Sequence, residues 1–378
     1  MSSFDERMMQ QALELAERGR GRIEPNPVVG AVLAQGETVV GEGWHEVFGG
    51  PHAEVNAINA AGDRARGATL YATLEPCCHF GKTPPCVDAI VAAGIVRVVA
   101  AMQDPFHKVS GAGFARLRAA GVKVEVGLGE DEALRLNAPF VKLTLRGLPF
   151  IIAKWAMTLD GKTAAVTGDS RYISGEESRH VVHQMRDRVD AVVVGVRTAI
   201  ADDPMLTCRI PNGRNPRRII IDTQARLPLS SRLVRSVNDA PVWVACGASA
   251  PAASMHALTR AGCRVIQLPE SHHRAKGPEH IRGVEVAALA EVLGKELLTN
   301  VLVEGGGSVH ASFFEAKLVD RVMVFIAPKL LGGEHAPTPI AGHGIRSLDQ
   351  AWTLAGTAVT RTGEDVLIEG DVVYGDNQ

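Results

Sequence analysis

Residues 51–55 read Pro51-His52-Ala53-Glu54-Val55, and residues 74–86 read Leu74-Glu75-Pro76-Cys77-Cys78-His79-Phe80-Gly81-Lys82-Thr83-Pro84-Pro85-Cys86. His52 and Glu54 open a helical pattern over 52–61, and a short apolar strand at 69–74 separates them from the cysteines. One imidazole nitrogen and two thiolates would leave a tetrahedral Zn²⁺ with one open position, the arrangement of a catalytic site. Cys77 and Cys86 each follow a proline at a strand end or helix start, where free backbone N–H groups favour the thiolate. The carboxylate of Glu54, two residues from the histidine and not itself a ligand, is placed to carry protons for a metal-activated water. Cys78 competes with Cys77 for the first ligand position; Cys77, directly after proline, is preferred, and His79 is expected to line the pocket.

Around this core the chain alternates short apolar runs with helical patterns. Strands are expected at 28–33 and 38–43 with Gly36 in the turn between them, then at 95–102 and 122–126. Helices are expected from Phe4, Met8, Ala12 and Leu15 at the start, from Val87, Ile90 and Val91 after the cysteines, and over 113–120. Interleaving of this kind implies βαβ units and a mostly parallel sheet. At Arg146-Gly147-Leu148-Pro149 the pattern restarts, with strands expected at 150–153, 191–194, 218–221, 242–245, 264–268, 301–303 and 321–326. Several are continuous Val/Ile runs, as strands buried on both faces require. The domains are therefore 1–147 and 148–378, with no flexible linker and no internal repeat.

The 378 residues, 46% of them hydrophobic and 22% charged, suit a two-domain globular α/β protein. With 40 Lys+Arg against 42 Asp+Glu the net charge is −2, and aromatic residues are only 4%, so no nucleic-acid partner is expected. No apolar run reaches the roughly 18 residues of a membrane span, and the amphipathic start is no signal peptide, which points to a cytoplasmic protein without a membrane partner. Three of the six cysteines cluster at 77, 78 and 86, while Cys208, Cys246 and Cys263 are scattered. Such a cluster is more often metal-binding or catalytic than disulfide-forming.

The order His-x-Glu then Pro-Cys and Cys resembles the nucleobase-deaminase signature, except that eight residues separate Cys77 from Cys86 where the general form has two. Together with Pro25-Asn26-Pro27-Val28-Val29-Gly30 and Gly43-Trp44-His45, these segments resemble the deaminase half of the bifunctional deaminase/reductase family of riboflavin biosynthesis, in which the long insert is usual. The resemblance implies zinc on His52, Cys77 and Cys86, with Glu54 as proton shuttle. It implies Asn26, His45, Lys82 and Thr83 around the pyrimidine or its phosphoribosyl group. Asp104-Pro105-Phe106-His107 departs from that family, which tends to read Asp-Pro-Asn-Pro.

Further on, Val301-Leu302-Val303-Glu304-Gly305-Gly306-Gly307-Ser308 runs from a strand into a helical stretch over 309–316. Glycines there admit a ligand close to the backbone, and the helix start offers N–H groups to a phosphate. Thr198 to Arg209 follow another strand, at the end where open α/β sheets hold ligands. With Lys154 to Lys162, Gly168 to Ser174, Ile221-Asp222-Thr223 and Ala327 to Gly333, these segments resemble the reductase half of the same family, a domain similar to dihydrofolate reductase. The likeness runs from about residue 4 to about residue 333. It implies NADPH on Ala156, Tyr172, Thr198, Asp202, Thr223 and the 306–312 turn, with Gly306, Gly307 and Ser308 at its head. The ribosyl phosphate would meet Ser170, Arg186, Leu206, Arg209 and Glu304, the arginines donating paired hydrogen bonds. Tyr172 stands where the family often has tryptophan. No side chain reads as an obvious general acid; Lys154 and a bound water are the candidates.

The expected architecture is a cytidine-deaminase-like zinc domain followed by a dihydrofolate-reductase-like domain. The expected activity is hydrolytic deamination of 2,5-diamino-6-ribosylamino-4(3H)-pyrimidinone 5′-phosphate, then NADPH-dependent reduction of the ribosyl side chain to ribityl. The partner is this small phosphoribosyl pyrimidine, and a homo-oligomer, dimer or tetramer, is expected. The first alternative is a zinc deaminase of a free nucleoside, nucleotide or RNA base with a non-reducing second domain. The second is a scaffold with a structural zinc closed by Cys78 or His79.

Overall fold

The computed structural model describes residues 3–106, 109–274 and 280–375, so His107 of the departing loop lies outside the described residues. The chain divides into two compact units, Met1–Gly147 and Leu148–Gln378.

The first unit has a five-stranded sheet of order β2-β1-β3-β4-β5, from β1 (Gly30–Gln35), β2 (Thr38–Trp44), β3 (Thr69–Ala72), β4 (Arg97–Ala100) and β5 (Lys123–Val126). Its helices are α1 (Ser3–Glu17), α2 (Ala53–Ala61), α3 (Cys86–Ala92), α4 (Ala112–Ala119), α5 (Glu130–Leu136) and α6 (Ala138–Arg146). Only β3-β4-β5 are parallel; β1 runs antiparallel to both β2 and β3, so this sheet is mixed rather than mostly parallel. The cause is local. Gly36, at φ 60°, turns the chain between β1 and β2, and a turn that short can join only antiparallel strands. The sheet buries Val32, Leu33, Leu70, Val98 and Val99 completely. At Gly43 in β2 a Cβ would fall 2.5 Å from the Ala53 carbonyl. That missing side chain lets α2, which carries the first half of the motif, lie directly on the sheet.

The second unit has a nine-stranded sheet of order β10-β9-β8-β7-β13-β6-β14-β16-β15. Its strands are β6 (Phe150–Thr158), β7 (Ala191–Gly195), β8 (Arg217–Ile221), β9 (Val242–Gly247), β10 (Arg264–Leu268), β13 (Asn300–Gly305), β14 (Val319–Ala327), β15 (Thr353–Thr362) and β16 (Asp365–Val373). A separate hairpin pairs β11 (Glu270–Arg274) with β12 (His280–Val284). Helices α7 (Glu176–Arg188), α8 (Val196–Asp202), α9 (Arg232–Arg235), α10 (Ala252–Arg260), α11 (Val286–Lys295) and α12 (Gly307–Glu315) fall between strands. From β10 through β14 every neighbouring pair is parallel. Every residue of β7 and β9 is buried, as their apolar runs require. β6 continues well past Ala153 to Thr158, carrying Lys154 and Ala156 into the sheet end. The antiparallel β15–β16 hairpin is absent from the sequence expectation; β15 is an exposed edge strand whose composition lacks a buried face. Among the described residues no helix is long and apolar enough to cross a membrane.

Candidate active sites

His52 is the N-cap of α2, Glu54 lies in its first turn, and Cys86 is the first residue of α3. These two helix starts and the loop after β3 bring ligand atoms of His52, Cys77 and Cys86 within 4.8 Å of one another. His52 Nδ1 lies 3.5 Å from Cys77 Sγ and 3.3 Å from Cys86 Sγ. Thr83 Oγ1, 3.4 Å from His52 Nε2, orients the ring so that the Nδ1 lone pair faces the two sulfurs. The Cys86 backbone N–H, 3.3 Å away at the start of α3, donates to Cys77 Sγ, and the adjoining Cys86 side chain and His52 draw the Cys77 thiol well below its usual range. The neighbouring Cys77 sulfur and burial push the Cys86 thiol up. Glu54 is 3% exposed; burial, and then the negative charge of Cys77, lift its carboxyl to about 7.

Neither Cys78 nor His79 belongs to this donor cluster among the described residues. The Cys78 carbonyl is instead held by Arg116, 2.7 Å away, and the His79 ring packs 5.9 Å from Phe106. Among the described residues no fourth protein ligand joins the three, against the structural-zinc alternative.

His45 is buried edge-on to His52, with ring centroids 5.2 Å apart. Burial lowers its pKa and keeps it neutral. Its Nδ1–H donates to the Pro51 carbonyl at 3.0 Å, leaving Nε2 to accept from the Asn26 amide at 3.2 Å. Lys82 lies on the exposed loop with its ammonium 3.8 Å from the centroid of the Phe48 ring. Two positioning groups escape sequence reasoning. Asn137, buried between α5 and α6, brackets Val28 by accepting from its N–H at 2.9 Å and donating to its carbonyl at 3.0 Å. That clamp fixes the backbone two residues beyond Asn26. Glu75, inside the cysteine motif, accepts from the backbone N–H groups of Asp104, Gly111, Gly113 and Phe114 at 2.9–3.3 Å. It thereby ties the 104–114 segment to the cysteine loop. An aspartate or glutamate in such a motif reads as solvated; nothing local signals four distant donors.

In the second unit a cleft of about 1980 Å³ opens at the carboxyl ends of β6, β7, β8 and β13. Ala156, Ser170, Tyr172, Thr198, Asp202 and Thr223 line it. So do Arg186, Arg209, Glu304, Gly306, Gly307 and Ser308. Leu206 does not; it is buried, while its neighbours Met205 and Thr207 line the cleft. Glu304 receives Arg186 in a forked pair, Nε at 2.6 Å and Nη2 at 2.8 Å, with Lys154 Nζ 3.9 Å away. Burial works to raise the Glu304 carboxyl, but the Arg186 charge and hydrogen bonds prevail and hold it at about 2. Burial lowers the Lys154 ammonium, Glu304 opposing. Lys329 donates to the carbonyls of Tyr172 and Ile173 at 2.7 and 2.9 Å, fixing the strip that carries Tyr172. Gly306 adopts φ 86°, and a Cβ on Gly307 would fall 2.7 Å from the Thr338 carbonyl, so only glycine fits this turn. Trp155, which the sequence did not single out, packs on the same wall against His310 of the 306–312 turn, with ring centroids 5.5 Å apart.

Residues 149–368 match the family described as the RibD C-terminal domain, and residues 2–102 match the cytidine and deoxycytidylate deaminase zinc-binding region. The riboflavin biosynthesis protein RibD of Aquifex aeolicus is 41% identical, covering 97% of this chain and 98% of its own. That of Escherichia coli is 40% identical over 87% of this chain and 89% of its own. The chain belongs to the RibD family. The solved RibD of Acinetobacter baumannii superimposes with a TM-score of 0.84 at 34% identity, covering 98% of this chain and 99% of that one. A Thermotoga maritima structure described as a diaminohydroxyphosphoribosylaminopyrimidine deaminase/5-amino-6-(5-phosphoribosylamino)uracil reductase gives 0.83 at the same identity and coverage.

Membership in RibD makes this chain a bifunctional deaminase and reductase of riboflavin biosynthesis, built from a cytidine-deaminase-like unit and a dihydrofolate-reductase-like unit. The reductase-family match disfavours a deaminase with a non-reducing second domain. The donor set fits the zinc such a deaminase binds: one imidazole nitrogen and two sulfurs, a borderline-soft trio that also leaves a coordination position open. The glycine turn at the head of α12 fits a nucleotide phosphate, because among the described residues no side chain caps the start of that helix.

Proposed function

We propose that residues 1–147 deaminate 2,5-diamino-6-ribosylamino-4(3H)-pyrimidinone 5′-phosphate and that residues 148–378 reduce the deaminated product with NADPH. His52, Cys77 and Cys86 would hold the zinc. When bound, that ion supplies an acidified water and a Lewis acid at neutral pH. Glu54, buried beside Cys86 and poised at about 7, moves protons: it takes one from the attacking water and delivers one to the departing amine. Asn26, held by His45, and Lys82 and Thr83 on the cysteine loop face the pyrimidine and its phosphoribosyl group. Thr83 has a second task, since its hydroxyl also orients His52.

In the second unit NADPH would lie over Ala156, Tyr172, Thr198, Asp202, Thr223 and the turn from Gly306 through Gly307 and Ser308. When bound, the cofactor would supply a hydride to C1 of the ribosyl unit, whose C1–ring-oxygen bond opens first to an acyclic C=N with the ring oxygen taking a proton, so that the hydride leaves the ribityl chain. Ser170 and Arg209 bind the substrate phosphate, while Arg186 and Glu304 form a rigid charged floor beneath the sugar. Lys154, 3.9 Å from Glu304, or a bound water would give the ring oxygen its proton.

The observation that carries this reading is the convergence of His52, Cys77 and Cys86 within 4.8 Å, with a buried, non-ligating Glu54 beside them. The test combines metal analysis with an assay on the diaminopyrimidinone ribotide. Stoichiometric zinc, ammonia release and subsequent NADPH oxidation are expected. Ammonia release without any NADPH oxidation would overturn the reductase half.

A further inference from the structure

The arginines that line the cleft of the second unit are mostly committed. Arg186 is forked onto Glu304, Arg226 is ion-paired with Asp222 at 3.8 Å, and Arg171 donates to the Asp202 carbonyl at 2.9 Å. Arg179 lies over the Tyr172 ring, 4.4 Å from its centroid. Arg197 differs. Its Nη2 donates to the neutral Ser308 hydroxyl at 2.8 Å, and among the described residues no carboxylate pairs with it. A guanidinium fixed by a hydroxyl keeps its whole charge and its spare N–H donors, so it is a ready partner for a dianionic ester.

Its position says which ester. The sheet order β8-β7-β13-β6 is parallel throughout. Ala156 on β6 and Glu304 on β13 mark the hydride end of the cleft, and Gly306 to Ser308 follow β13. Arg197 follows β7, and Thr223 follows β8. From β6 to β8 is three strand spacings, about 14 Å. A dinucleotide with its nicotinamide at β6 and its diphosphate on the glycine turn therefore brings its adenosine ribose over the ends of β7 and β8, beside Arg197. NADPH and NADH differ only by the phosphate on that ribose.

We propose that Arg197, held by Ser308, is the residue through which this chain selects the 2′-phosphorylated dinucleotide NADPH over NADH. The proposal rests on the reading of the cleft as the NADPH site. The Ser308 hydrogen bond settles the guanidinium before ligand arrives, which lowers the ordering cost of binding. The phosphate gains a forked, charge-assisted contact; the 2′-hydroxyl of NADH gains none of that charge. Arg226, ion-paired with Asp222 and 60% exposed, has its charge already offset.

Calorimetric titration of the full-length protein and its Arg197→Ala variant with NADPH, NADH, adenosine 2′,5′-bisphosphate and AMP tests this without turnover. Wild type should prefer NADPH to NADH and the bisphosphate to AMP. In the variant the dissociation constants of NADPH and the bisphosphate should rise on the order of 10- to 100-fold, and those of NADH and AMP should stay within about twofold. Arg197→Lys, which keeps a point charge without the fork, should fall between. Equal weakening of NADPH and NADH would assign Arg197 to the diphosphate and overturn the proposal, as would no change in either. Failure of wild type to bind either dinucleotide would instead remove the cofactor reading of the cleft, and the proposal with it.

Discussion

In the first unit three donor atoms converge within 4.8 Å and the acid beside them is sealed from solvent, whereas in the second the candidate residues spread around a cleft of about 1980 Å³ and several remain half-exposed. The first arrangement is built from two helix starts and one loop, so each group supports the others: Thr83 aims His52, and the Cys86 amide holds Cys77. The second is built from four parallel strand ends, each contributing one or two side chains to a long ligand. A compact polar cluster should fail as a unit when one member goes, because every remaining group was arranged around it. A distributed cleft should lose affinity in steps.

The sharpest contrast is expected at Cys86. Cys86→Ser removes one of two sulfur ligands from the proposed zinc site, so metal content should fall to background and deamination should become undetectable. NADPH oxidation with the already deaminated substrate should continue. Parallel loss of both activities would show that the two sites are not independent, and full zinc occupancy would remove Cys86 from the metal. Glu54→Gln is the gentler form of the same test. The variant should keep its zinc and lose about 10²- to 10⁴-fold in deamination rate, the usual worth of a positioned general base. Loss of the ion instead would mean that Glu54 supports the metal rather than the proton.

The nearest approach to a compact cluster in the second unit is the buried Arg186–Glu304 pair, with side chains 12% and 6% exposed. Glu304→Gln leaves a guanidinium in the interior without its counter-charge, a change that typically costs about 3–5 kcal/mol. The melting temperature should drop and the reductase should slow. Adding Arg186→Met should restore much of the stability without restoring turnover. If the single variant melts like wild type, the pair is a solvated contact and the second unit has no tightly coupled centre.

How far the sequence could be read follows the same division. The His-x-Glu and Cys-rich stretches place the metal donors because each stretch is short and its chemistry depends on residue type. The apolar runs of β7, β9 and β13 likewise announce strands buried on both faces. Asn137 could not be read, since its partner Val28 lies 109 residues away and an asparagine before Ala138-Pro139 looks like an ordinary helix junction. The tail of β6 mixes Lys154, Trp155 and Ala156 because it faces a cleft rather than a core, so the apolar pattern that marked 150–153 stops short of the strand's end. β15 shows no strand pattern for the opposite reason, being an exposed edge. For Leu206 only the family resemblance speaks, and no local pattern signals that it adopts φ 54° and is buried while Met205 and Thr207 line the cleft.

Arg209 offers the smallest effect and the most direct test of a stepwise cleft. It is exposed, lines the cleft on the side of Arg186 and His183, and has no part in the forked pair. Removing it should therefore cost neither the fold nor the floor of the site. Arg209→Ala should raise the reductase KM for the phosphoribosyl substrate about tenfold, the value of one charge-assisted contact, with kcat and the NADPH dissociation constant close to those of wild type. A fall in kcat at unchanged KM would place Arg209 at the reacting sugar instead of the phosphate. A collapse of activity comparable to that of Glu304→Gln would mean that the second site, too, behaves as a single coupled cluster, and the contrast between the two units would be lost.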